Sequence, residues 1–125
     1  MVLQQIIQIK GKDYNVKFPT VGQLMDIESF KISYTNGKYI DMALSGMRVH
    51  LFALDIADAL SYFAILIPEL KTDLKVKNWR DIDINLAKEL VEVYKDKFIP
   101  WYKPIIDDLY GFDKKGEQDG KQVKE

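Results

Sequence analysis

Tyr14-Asn15-Val16-Lys17-Phe18-Pro19-Thr20-Val21-Gly22-Gln23 holds a change of period. Up to Phe18, apolar and polar residues alternate, the period of a strand with one covered face. Pro19 ends that run. Thr20 and Gln23 then stand at the spacing of a capping box, in which the Thr hydroxyl accepts from the Gln amide and the Gln side chain accepts from the Thr amide. Working back, Ile7 and Ile9 alternate with Gln8 and Lys10, and Gly11-Lys12-Asp13 supplies turn chemistry. Residues 1–18 are therefore predicted to form a β-hairpin. Two strands alone are marginal in water, so the ribbon must lie on the helices that follow.

The first helix carries Val21, Leu24, Met25, Ile27 and Phe30, with Glu28 interrupting the stripe and Gly22 weakening the first turn. Thr35-Asn36-Gly37-Lys38 reads as a turn. Tyr39 to Ile67 is the longest helical run, divided or kinked at Ser45-Gly46. From Arg48, Leu51, Phe52, Leu54, Ile56, Ala57, Leu60 and Phe63 occupy more than one stripe. Such a helix is central in its fold or covered by a partner. Pro68 stops it, and Lys71 to Arg80 reads as a polar connector. Asp83 can cap a last helix with Leu86, Leu90, Val93, Tyr94 and Phe98 on one face. Lys88, Glu89, Glu92 and Lys95 fall opposite, where Lys88–Glu92 and Glu92–Lys95 can pair. Pro100 and Pro104 kink or restart the helix, with Pro104 suited to the first turn of a short helix through Leu109. The expected fold class is α+β, mainly α: an N-terminal β-hairpin packed on a bundle of four to five helices. Residues 1–112 form a single globular domain, with hairpin 1–18 and helices within 20–110. Residues 113–125 are too polar to offset their ordering entropy and read as a flexible tail.

A chain of 125 residues suits one domain, and its formal net charge of −1 argues against a nucleic-acid partner. Lys71, Lys75, Lys77 and Arg80 lie close together, but Asp73, Asp81 and Asp83 among them point to a solvated loop. With no cysteine there is no disulfide or thiolate metal site. The start of the chain lacks the basic segment and apolar run of a secretory signal. The most apolar window, Ala59 to Pro68, is short of the ~20 residues that span a bilayer. The expectation is a soluble chain with no membrane partner.

Chemistry-bearing constellations are sparse. His50 is the one histidine, with Asp55 about a turn further on. Asp55/Asp58, Asp81/Asp83 and Asp107/Asp108 lack the converging oxygens of a hard-cation site. Ser29, Ser33, Ser45 and Ser61 lack a G-x-S-x-G elbow. No catalytic, metal or cofactor-binding residue is assigned, although an enzyme using His50 with Asp55 is a third reading. Aromatic side chains carry more information. Trp101, Tyr102, Tyr110 and Phe112 sit in a proline-broken segment, and Trp and Tyr favour interfaces. They pack the domain's own core, contact a partner, or divide the two roles with Trp101 inward and Tyr102 outward. Phe52, Tyr62, Phe63, Trp79, Trp101, Tyr102 and Tyr110 are the candidate protein-interaction residues.

The order of features carries a resemblance. A glycine-turn hairpin enters Phe18-Pro19-Thr20-Val21-Gly22-Gln23-Leu24-Met25-Asp26-Ile27-Glu28. Two more helical segments follow, then Ile82-Asp83-Ile84 leads a helix that closes near Phe98-Ile99-Pro100-Trp101. Over roughly residues 5–105 this resembles the small tail assembly chaperones of tailed bacteriophages. The resemblance implies a mainly helical, non-enzymatic protein without a cofactor. It would hold the tape-measure protein soluble during tail assembly, in the host cytoplasm, and some such chaperones self-associate. The alternative is a small head, connector or tail component retained in the virion, bound to another phage structural protein.

Overall fold

The computed structural model describes residues 2–111. The polar tail expected over 113–125, and Phe112, lie outside the described residues. Strands β1 (Gln4–Ile9) and β2 (Lys12–Lys17) pair antiparallel, with Ile7 opposite Tyr14 and Gln5 opposite Val16. The turn is Lys10-Gly11 rather than Gly11 to Asp13. Both residues have positive φ, 52° and 81°, which suits the twist of a two-residue hairpin. Ile7, Ile9, Tyr14 and Val16 alternate onto one buried face, as the period-two pattern requires.

The capping box forms at both ends. The Gln23 amide donates to Thr20 Oγ1 at 3.2 Å, and the Thr20 amide donates to Gln23 Oε1 at 2.9 Å. Helix α1 (Val21–Tyr34) follows, then α2 (Tyr39–Ser45) and α3 (Arg48–Leu66). Next come α4 (Glu69–Asp73) and a short 3₁₀ turn, Trp79–Asp81. Helix α5 (Ile84–Val93) is capped by Asp83, whose carboxylate accepts from the Asn85 amide at 2.9 Å. The molecule is thus α+β and mainly helical, with the hairpin packed on the helices.

The second half of α3 is the centre. Ala59, Leu60, Phe63 and Ile67 are buried against Ile7, Val16, Leu70, Leu90 and Phe98. Residues 71–80 are less polar in role than the sequence suggests, because Leu74 and Val76 pack on the core beside the fully buried Leu70. Asp73 ties this segment to the hairpin, accepting from Lys12 Nζ at 2.8 Å and from the Tyr14 hydroxyl at 2.7 Å. The expected Lys88–Glu92 and Glu92–Lys95 pairs are absent among the described residues. Lys95 reaches Asp55 on α3 at 2.8 Å, and Glu89 meets Lys10 of the hairpin turn at 3.1 Å.

After α5 the chain does not break. It widens into a π turn, Tyr94–Phe98, and continues as α6 (Ile99–Tyr110). The Ile99 amide donates to the Tyr94 carbonyl five residues back. Pro100 has no N–H for the Asp96 carbonyl, so the ladder can widen here without losing a donor. Pro100, not Pro104, occupies the first turn of the restarted helix; Pro104 lies inside α6. Its carbonyl partner four residues back would be that of Pro100. Widening lets Tyr94, Phe98 and Tyr102 share one face, stacked at 5.6 Å and 4.9 Å between ring centroids.

Candidate protein-docking surface

Helix α2 is unusual because none of its residues is buried. It ends at Gly46, whose φ of 69° is left-handed. Met47 then turns extended and starts α3. Ser45 fastens the corner: its Oγ bonds the Met42 carbonyl at 3.1 Å, accepts from the Met47 amide at 3.2 Å and lies 2.6 Å from His50 Nδ1. His50 is therefore occupied at the corner, while Asp55, its expected partner, is bound to Lys95.

The corner directs apolar side chains outward from both helices. Leu44 is 80% exposed, Val49 65% and Phe52 41%, and Ile40, Met47 and Leu51 are exposed beside them. Exposed apolar residues scattered singly are ordinary; a run on two adjoining helices marks an interaction site.

A polar hub, rather than apolar burial, anchors α2. The Tyr39 hydroxyl donates to Asp58 Oδ1 of α3 at 2.5 Å. Lys31 of α1, only 8% exposed, reaches Glu28 at 3.0 Å and Asp58 at 3.9 Å, and its ammonium lies over the Tyr62 and Tyr39 rings. Burial pushes the Asp58 carboxyl above the usual carboxylate range, opposed by the Tyr39 hydrogen bond and the Lys31 charge. Burial, then the bond to Asp58, raises the Tyr39 phenol.

The seven candidate interaction residues divide sharply. Phe52 lies on the exposed face and Tyr110 is exposed near the end of α6. Phe63 is fully buried, and Trp79 and Tyr102 are nearly so. Tyr62 is half-buried within 5.7 Å of the Tyr94, Phe98 and Tyr102 ring centroids. Trp101 is half-buried between Phe18 and Phe98, and its Nε1–H donates to the Val2 carbonyl at 2.8 Å. The division expected at the proline segment is thus reversed: Tyr102 points in, stacked on Phe18 at 5.4 Å, and Trp101 keeps an open edge. The π turn sets that register. Ile40, Leu44, Met47, Val49 and Leu51 were missed. The available signal was the apolar residue every three or four positions that continues across Gly46.

Among the described residues, no three His, Asp or Glu side chains converge as a metal site. Helix α3 is long and apolar enough by length and composition to cross a membrane, and 39% of that stretch is buried in the fold. This apolar run exceeds the Ala59–Pro68 window because it includes the exposed first half of α3. Comparison of the chain with protein-family models, curated proteins and solved structures finds no match.

Proposed function

We propose that this chain is a non-enzymatic holding protein of the phage tail assembly chaperone kind, binding the tape-measure protein in the host cytoplasm until tail subunits enclose it. The observation that carries the reading is the apolar face of α2 and the start of α3, built from Ile40, Leu44, Met47, Val49, Leu51 and Phe52. With no residue of α2 buried, Ile40 and Leu44 are open to another chain. An amphipathic helical segment laid along such a face buries them by the helix-in-groove mode. The order of hairpin, capping box and helices supports the same assignment through its resemblance to those chaperones.

Co-purification from infected cells at native expression tests it. The expected result is a long helical tape-measure protein with the wild-type chain, lost with Leu44→Lys/Phe52→Lys while the melting midpoint is kept. Recovery with capsid or tail-tube proteins, and stoichiometric retention in purified virions, would identify a structural component instead. An assigned reaction abolished by His50→Ala would favour an enzyme.

A further inference from the structure

The cations of α4 and of the segment from it to α5 form no ion pair with the aspartates that alternate with them. Asp73 faces the hairpin, bound to Lys12 and Tyr14. Asp83 caps α5, and with Asp81 it borders a neighbouring depression that Lys77 also lines, without an ion pair to Lys77 among the described residues. Lys71, Lys77 and Arg80 instead line a cleft of about 560 Å³ between α1 and the 3₁₀ turn, where Asp26 is the one carboxylate. None of the three cations forms an ion pair among the described residues.

The cleft is held in shape before anything enters. The Tyr34 hydroxyl donates to the Trp79 carbonyl at 3.1 Å, joining α1 to the 3₁₀ turn. Asn78 Oδ1 accepts from the Arg80 amide at 2.9 Å, and the Arg80 guanidinium lies 6.0 Å from the Tyr34 ring centroid. Phe30 stacks on Tyr34 at 5.5 Å and extends the aromatic wall. Unpaired cations beside fixed aromatic rings suit a ligand with both carboxylates and an apolar side chain.

We propose that this cleft binds an acidic peptide segment, its carboxylates on Lys71, Lys77 and Arg80 and an apolar side chain against the Phe30–Tyr34 wall. Ser29 and Ser33, one helical turn apart on α1, offer hydroxyls to the peptide backbone. Phosphate fits less well. The backbone half of a phosphate cradle, a fan of free N–H groups at a helix start, is missing here: the cleft is walled by the side of α1 and the Arg80 amide is already taken. Asp26 also repels a polyphosphate, while a peptide N–H satisfies it. The site is separate from the α2–α3 face and does not rest on the function proposed above.

Titration of the ¹⁵N-labelled full chain tests the inference. The probes are a short blocked peptide of alternating glutamate and leucine, its glutamine–leucine counterpart, and ATP. The acidic peptide is expected to move the amides of Ser29, Ser33, Trp79 and Arg80. Affinity should fall about tenfold or more for the neutral peptide and for Lys71→Gln/Arg80→Gln. The same amides in Lys77→Gln report independently if the double variant loses its native spectrum. No movement at these amides, equal binding of the neutral peptide, or tighter binding of ATP would each overturn the proposal.

Discussion

Asp58 gathers three helices onto one carboxylate: Tyr39 from α2, Lys31 from α1, and its own α3. Tyr39→Phe should cost about 1–3 kcal/mol, since the partly buried acceptor loses its hydroxyl donor. Faster hydrogen exchange over residues 39–45 than elsewhere would localise the loss to α2. Leu90 is fully enclosed, so Leu90→Ala should cost about 2–5 kcal/mol through a cavity, while Glu92→Ala on the exposed face stays within about 0.5 kcal/mol. Equal denaturant midpoints would contradict that division. Asp73 contributes to the acid response. Hydrogen bonds from Lys12 and Tyr14 hold its carboxyl below the usual range. The stability it adds is present above the ordinary carboxylate range and disappears as pH falls through the lowered value. Asp73→Asn should therefore lower the melting midpoint at neutral pH, and the gap to wild type should narrow as pH falls below the ordinary carboxylate range. Asp58 has the opposite sign: its contribution is present below the ordinary range and lost as pH rises through its raised value.

At the scale of elements, Gly46 decides where the exposed apolar face points. A Cβ there meets no atom within 4 Å, so the constraint is the left-handed backbone alone. Gly46→Ala should cost about 1 kcal/mol, and Gly46→Asn, which tolerates that backbone better, should recover part of it in a denaturant melt. Much of this level was legible from the chain. The switch from alternation to capping box marked the β2–α1 junction, Ser45-Gly46 marked the break between α2 and α3, and Asp83 marked the start of α5. These signals are local, so a few neighbouring residues contain them. The π turn was not legible, because Pro100 announces only a missing donor and the neighbouring rings decide how the ladder adjusts. The exposed apolar face was half legible. Surplus apolar residues on α3 signalled an uncovered side, but which side depends on the direction of α2.

Across the whole molecule, aromatic rings from the hairpin end, α3, the π turn and α6 meet in one cluster beside the aliphatic core. Burial pushes the Tyr14, Tyr34, Tyr39, Tyr62, Tyr94 and Tyr102 phenols up, Tyr14 to about 12 with help from Asp73. A phenol raised on folding adds stability that is full below the ordinary tyrosine pKa of about 10 and is lost as pH climbs through the raised value. Phenolate absorbance should therefore lag through alkaline titration and then rise with the loss of circular dichroism. A smooth rise in a chain still folded would contradict this packing. The cationic cleft was least legible of all. Adjacent aspartates in sequence suggested neutralisation, and only the folded backbone turns Asp73 away from Lys71 and Lys77. The π turn imposes a different rule on the 95–97 segment, where all three side chains are exposed. Substitution there changes little beyond the Lys95–Asp55 contact. Deletion of Asp96 would remove the residue that the wide turn absorbs, making the Ile99–Tyr94 bond an ordinary α bond and leaving α6 on the same face. A further residue inserted into α6 before Trp101 would instead turn that side chain by about 100°, off the Val2 carbonyl: at this place the molecule counts its residues and scarcely reads them.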